Sequence, residues 1–192
     1  MNEVQRGASK KKWFSLLLLA VAGLLAFRLS GCERDTAPTR AELDAMSALQ
    51  RVRGHVRCDS DGHAVFVDFA KVDDVKDAEL EPLSQLPNVE QITFDSASIG
   101  DGALQYLEGL KNLSRLSLRG TKVTDAGMVH LQKCPALSEI DLERLPITDE
   151  GLVKLGPLKN LHRVYIGPGG PITTAGIEAL KAQNPRVNVS RK

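Results

Sequence analysis

The chain has 192 residues, enough for one ordinary domain plus a targeting segment. Its 25 basic and 24 acidic side chains nearly cancel, which argues against nucleic acid as a partner, because that usually requires a clearly basic face. Aromatic content is 4%, so Leu and Val must build the core, and this suits thin stacked units better than one thick globule. The three cysteines, Cys32, Cys58 and Cys134, lie far apart and form no CxxC pair, which suggests neither a zinc ribbon nor a disulfide framework.

Residues 1–31 read as a signal peptide or membrane anchor. Arg6, Lys10, Lys11 and Lys12 form a positive region, and the apolar run Trp13 to Phe27 follows. That run fits a signal sequence and is short for a bilayer span, which needs roughly 20 residues. Leu29-Ser30-Gly31-Cys32 resembles a lipobox. The resemblance implies that Cys32 becomes the acylated N-terminus of a lipoprotein, each buried methylene contributing about 0.8 kcal/mol to anchoring. Arg28, where an apolar residue is more usual, keeps a second reading open: an uncleaved anchor with Arg28 snorkelling to the far interface. Both readings put the rest of the chain on the non-cytoplasmic side, periplasmic or cell-surface, after a linker over 32–38.

Residues 39–64 read as an N-terminal cap. Thr39 and Glu42 are spaced as a capping box. Leu43, Met46 and Leu49, supported by Ala45 and Val52, form an apolar stripe at helical spacing, and Gly54 is a stop signal. His55 to Cys58, the turn Asp59-Ser60-Asp61-Gly62 and a strand from about His63 to Phe69 predict a hairpin. A helix and hairpin here would cover the open end of a repeat stack, which has no neighbour to bury its core.

Residues 65–192 repeat. Leu113, Leu116 and Leu118 recur 24 residues later as Leu137, Ile140 and Leu142, and again as Leu161, Val164 and Ile166. Upstream copies are Val89, Ile92 and Phe94, then Val65, Val67 and Phe69. The second half repeats as well: Val123-Thr124-Asp125-Ala126-Gly127-Met128 matches Ile147-Thr148-Asp149-Glu150-Gly151-Leu152. The L-x-x-L-x-L core at this period identifies a leucine-rich repeat. The predicted fold is α/β, a solenoid of about five 24-residue units with short parallel strands and helices.

The run from Leu118 to Met128 resembles the repeats of planctomycete-type bacterial proteins, as does the lead-in Arg51 to Phe69. The repeats are also similar to the cysteine-containing subclass of F-box adaptors. These resemblances imply protein binding as a class. An adaptor role would need a cytoplasmic domain and a recruiting motif, whereas this chain carries an N-terminal anchor. At the position after the strand, where the wider family has Asn, this chain has Ala97, Thr121 and Leu145, so no asparagine ladder forms and looser turns are expected. Gly167-Pro168-Gly169-Gly170-Pro171 is an insertion expected to bulge outward.

The acidic column Asp77, Asp101, Asp125 and Asp149 supplies one carboxylate per layer. It is read as capping the N-termini of the helices that follow, not as a cation site. His55, Cys58, Asp59, Asp61 and His63 are a local cluster of ligand types, but strand alternation sends them to opposite faces. Cys134 aligns with Leu110 and Leu158 as a small core residue, and His130 and His162 read as isolated. No GxSxG, HExxH or P-loop motif is present, so no enzyme, metal or cofactor is expected.

Strand alternation puts three columns on the presumed concave face: Gln91, Arg115, Glu139 and Arg163; Thr93, Ser117, Asp141 and Tyr165; Asp95, Arg119, Glu143 and Gly167. At about 4.8 Å between strands, two charge ladders follow, Arg115–Glu139–Arg163 and Asp95–Arg119–Glu143. They either fix repeat register, at roughly 0.2–1 kcal/mol per pair, or form a docking surface with Tyr165 as anchor. The expected function is a monomeric, membrane-anchored module that binds an unknown protein partner through this face. The alternative is a structural or accessory envelope lipoprotein without a dedicated ligand.

Overall fold

The computed structural model describes residues 37–191. The expected signal or anchor, the lipidation site Cys32 and the linker up to residue 36 lie outside the described residues. Among the described residues no helix is long and apolar enough to cross a membrane.

Helix α1 spans Arg40–Arg51, and the Thr39 hydroxyl caps it by accepting the Glu42 amide at 3.2 Å. The Glu42 side chain does not complete a capping box. It is buried and bonds His63 Nδ1 at 2.9 Å instead. The buried stripe is therefore Glu42, Ala45, Met46 and Leu49, and Leu43, expected within it, is 48% exposed. The helix ends in a Schellman turn: Arg53 is left-handed (φ 64°), and Gly54 N–H donates to the Leu49 carbonyl at 2.9 Å. Gly54 serves packing, not the turn conformation, because a Cβ there would sit 2.6 Å from the Phe69 ring.

The hairpin follows as β1 (His55–Cys58) and β2 (Ala64–Asp68), paired antiparallel. The Asp59 carboxylate holds its turn, accepting the amides of Asp61 at 3.0 Å and His63 at 2.9 Å. Five further strands complete a seven-stranded sheet: β3 (Gln91–Thr93), β4 (Arg115–Ser117), β5 (Glu139–Leu142), β6 (Arg163–Ile166) and β7 (Asn188–Arg191). Strand order equals chain order, and β2 to β7 run parallel. The register follows the sequence repeat: Ile92 faces Leu116, which faces Ile140, which faces Val164. Two residues further along each chain segment, Phe69, Phe94, Leu118, Leu142 and Ile166 are all buried, and the first two rings stack with centroids 5.5 Å apart.

The return segments range from α-helices of four or five residues inside the stack to ten residues in the last. They are a 3-10 helix at Asp77–Gln85 containing Pro82, α2 (Asp101–Leu104) with a 3-10 turn at Gln105–Leu107, α3 (Met128–Leu131), α4 (Asp149–Val153) and α5 (Thr174–Gln183). Their inward residues Leu80, Leu104, Leu131, Leu152 and Leu180 join the strand side chains in one core. This is a mixed α/β architecture with helices on one face of the sheet and the other face open.

The post-strand turns are not loose. Lys71, Ser96 and Gly120 are left-handed (φ 62°, 60° and 67°) and donate their amides to the Asp95, Arg119 and Glu143 carbonyls at 2.8, 2.7 and 2.9 Å. A backbone ladder thus does what asparagine side chains would have done. Pro168 to Pro171 are exposed, as the insertion suggests. At the far end, buried Asn184 donates to the Leu158 and Leu161 carbonyls, each at 2.9 Å.

Candidate binding face

The open face is built by pleat geometry. Each strand sends one or two side chains into the core and the alternate ones outward. The predicted columns are adjacent: Gln91 pairs with Arg115, Glu139 and Arg163 in turn, and Thr93 with Ser117, Asp141 and Tyr165. Tyr165 is half-buried. A cavity of about 140 Å³ lies between Gln91, Arg115, Ser117, Glu139, Asp141 and Tyr165.

Each predicted charge ladder is half present. Arg163 Nη1 reaches Glu139 Oε2 at 3.5 Å, and Arg119 Nε reaches Glu143 Oε2 at 3.4 Å. Arg115 has no ion pair with Glu139, nor Asp95 with Arg119, among the described residues. The Asp95 carboxylate accepts the Ser117 hydroxyl instead. Alternation places like columns side by side, but each carboxylate engages whichever neighbour its rotamer reaches first.

The hairpin extends this face beyond the predicted columns. Arg57 pairs with Phe66, and Phe66 with Gln91, while Asp68 continues the middle column beside Thr93. The Arg57 guanidinium lies 4.0 Å from the Phe66 ring centroid. A second cavity, about 290 Å³, is walled by Arg57, Phe66, Glu90, Gln91, Ser114 and Arg115. The buried residues of β2 are Ala64 and Val67, whereas Val65, expected inward, is half-buried and lines this second cavity, because the hairpin register shifts beside it; assigning the hairpin to a cap hid that it shares the sheet.

The aspartate column has a different role from self-capping. Each carboxylate reaches forward one layer. Asp101 accepts the Thr124 amide and hydroxyl, both at 2.7 Å, and the Gly127 amide at 3.1 Å. Asp125 takes the Thr148 amide at 2.9 Å and hydroxyl at 2.5 Å, and Asp149 takes the Thr173 pair at 2.7 and 2.6 Å. Asp77 accepts the Gly100 amide at 2.9 Å. The local caps are Thr148 and Thr173. The Thr173 hydroxyl first, and its amide second, hold the Asp149 carboxyl below the usual carboxylate range. This also explains the glycine two residues after the aspartate position: a Cβ on Gly127 would lie 2.5 Å from Asp101 Oδ1, and one on Gly151 or Gly176 would overlap Asp125 or Asp149.

The ligand-type cluster in the hairpin is dispersed. Asp59 holds the turn, His63 bonds Glu42, and Cys58 Sγ lies 3.6 Å from Met46 Sδ. Among the described residues no group of three or more His, Cys, Asp or Glu side chains could hold a metal ion. Cys134 is buried, its thiol pushed up to about 12 mainly by burial and secondarily by the charge of Glu108. His130 is not isolated. Its Nδ1 meets Glu108 at 2.7 Å, Lys133 meets the same carboxylate at 2.7 Å, and the two hold Glu108 below its ordinary range, His130 contributing most.

No protein-family model matches the chain, and no curated protein matches it. Among solved structures it is similar to an internalin from Listeria monocytogenes, at 13% identity with a TM-score of 0.38. The likeness covers 84% of this chain, which spans 58% of that one.

Proposed function

We propose that the chain is a leucine-rich-repeat interaction module, about five units behind a helix–hairpin cap, which binds a protein through the open face of its sheet. Its N-terminus holds it at a membrane on the non-cytoplasmic side, through acylated Cys32 or an uncleaved apolar anchor. The observation that carries this reading is the in-register open face itself. Six parallel strands present mostly polar, partly exposed side chains on one side, while most of the alternate positions are buried. Such a surface exposes little apolar area to water and recognises by complementarity. The role is binding, not catalysis.

Tyr165 is the expected anchor, because a half-buried Tyr presents rigid area and a polar tip at low entropy cost. Full-length chain is used as bait on membranes after crosslinking in intact cells. Tyr165→Ala should reduce the captured partner at least several-fold while Val129→Ala, on the helix side, leaves it unchanged. Equal capture by both variants removes the open face from the reading, and recovery of the chain in the soluble fraction removes the anchor.

A second reading has its own observation. Arg119–Glu143 and Arg163–Glu139 neutralise each other across adjacent strands, as a register device in a structural envelope protein would. It predicts that no partner is captured above background by either bait.

A further inference from the structure

The two cavities of the open face share Gln91 and Arg115. Arg115 therefore stands between them. It is exposed, and among the described residues no carboxylate lies within 4.0 Å of it, in contrast to Arg119 and Arg163. Arg57 is in the same condition: its guanidinium is stacked over Phe66 with no carboxylate in range among the described residues. A stacked guanidinium keeps its N–H edges free, and that planar fork matches a carboxylate in two-point geometry.

The pairing register sets the spacing. Arg57, Phe66, Gln91 and Arg115 lie side by side on β1 to β4. Three steps of about 4.8 Å separate the two arginines, about 14 Å in all, which an extended peptide at about 3.3 Å per residue covers in four residues. Phe66 lies between them, with Gln91 and Ser114 as polar neighbours in the same cavity. Glu90 is that cavity's single carboxylate, so the fit is to separated acidic residues and not to a continuous polyanion.

We propose that this end of the open face is a subsite for an extended acidic peptide that crosses the strands, with two carboxylates four residues apart on Arg57 and Arg115 and an apolar side chain over Phe66. The subsite rests on the open-face reading above and names the partner's chemistry there.

The probe is a labelled peptide, Glu-Ser-Leu-Ser-Glu, carrying a photo-crosslinker and titrated against the full chain in mild detergent. Saturable binding is expected by fluorescence anisotropy, weakening as salt rises because the contacts are exposed. The Gln-Ser-Leu-Ser-Gln version should bind at least about fivefold more weakly, and Arg115→Gln or Arg57→Gln should each weaken the glutamate peptide about tenfold. Lys181→Gln, exposed on α5 on the helix side, should change affinity less than about twofold. Unchanged circular dichroism checks that each variant is folded.

Equal affinity for both peptides, insensitivity to Arg115→Gln, or no binding overturns the acidic subsite. If binding fails while a cellular partner is still lost on Tyr165→Ala, the open face survives and only the subsite falls. Crosslinks confined to the helix side, near Val153 and Ala179, overturn both. Stronger binding by a heparin fragment than by the peptide also overturns the proposal, since it would make the site a general polyanion surface.

Discussion

Gly151 stands inside a helical turn, where glycine is normally a liability of about 1 kcal/mol relative to alanine. Here the propensity argument reverses. The Asp125 carboxylate occupies the space a Cβ would need, and it cannot retreat without giving up the Thr148 amide and hydroxyl. Gly151→Ala should therefore destabilise by about 1–3 kcal/mol through overpacking. Asp125→Ala alone should cost about 1–2 kcal/mol as a lost cap. Together they should cost less than the sum, because removal of the Asp125 carboxylate makes room for the Cβ that Gly151→Ala adds. Urea denaturation of the four-member cycle measures this coupling, and strict additivity would show that carboxylate and glycine act independently.

Among the elements, the strands were the most legible in the sequence. L-x-L alternation fixes which residues enter the core, and a constant 24-residue period fixes the register from β3 to β6. The helices were legible only as positions, since a short unit leaves room for little more than a turn on its return. What the sequence could not show was where side chains cross between elements. Glu42 and His63 are 21 residues apart, joined only once α1 lies against the hairpin. The same holds for the aspartates: the Thr-Asp pair reads as a self-contained cap, and the cross-layer reach is invisible until layers stack. The recurrent helical glycine was the available signal. For the candidate face, the columns were readable, but which arginines lack partners depends on rotamers.

The start of α5 gives a pH test at this scale. The folded carboxyl of Asp149 titrates below its unfolded value, roughly 3.9, because Thr173 donates to its charged form. The unfolded chain thus binds the proton first. The stabilising contribution is present above that unfolded value and disappears as pH falls through the folded one. Thr173→Val removes the largest contributor, the hydroxyl. Carboxyl-carbon NMR should show the Asp149 midpoint moving upward in that variant, and no movement would disconnect it from Thr173.

At the scale of the whole molecule, each layer contacts the next through equivalent positions, so stability is built from neighbour terms. Excision of residues 123–146 removes one period and brings Asp101 to Thr148 and Gly151, which match Thr124 and Gly127. It also sets Arg115 beside Arg163 and leaves Arg119 without Glu143, an added cost of a few tenths to about 1 kcal/mol per position. The shortened chain should fold with a lower denaturation midpoint and a smaller m-value, in proportion to the surface removed. Excision of residues 123–134, half a period, should abolish the cooperative transition by turning core positions outward. Equal tolerance of both deletions would refute the layered picture.

The forward-reaching aspartates also give the stack a direction of growth. Each layer carries a tongue, the carboxylate, and a groove, the next layer's threonine and glycine. In the last copy Thr174 replaces the tongue, and Asn184 seals the carbonyls behind it. A unit appended after α5 would find no tongue to engage its groove, whereas one duplicated between Asp125 and Thr148 would find both. The protein is built to lengthen from within, by insertion of interior copies.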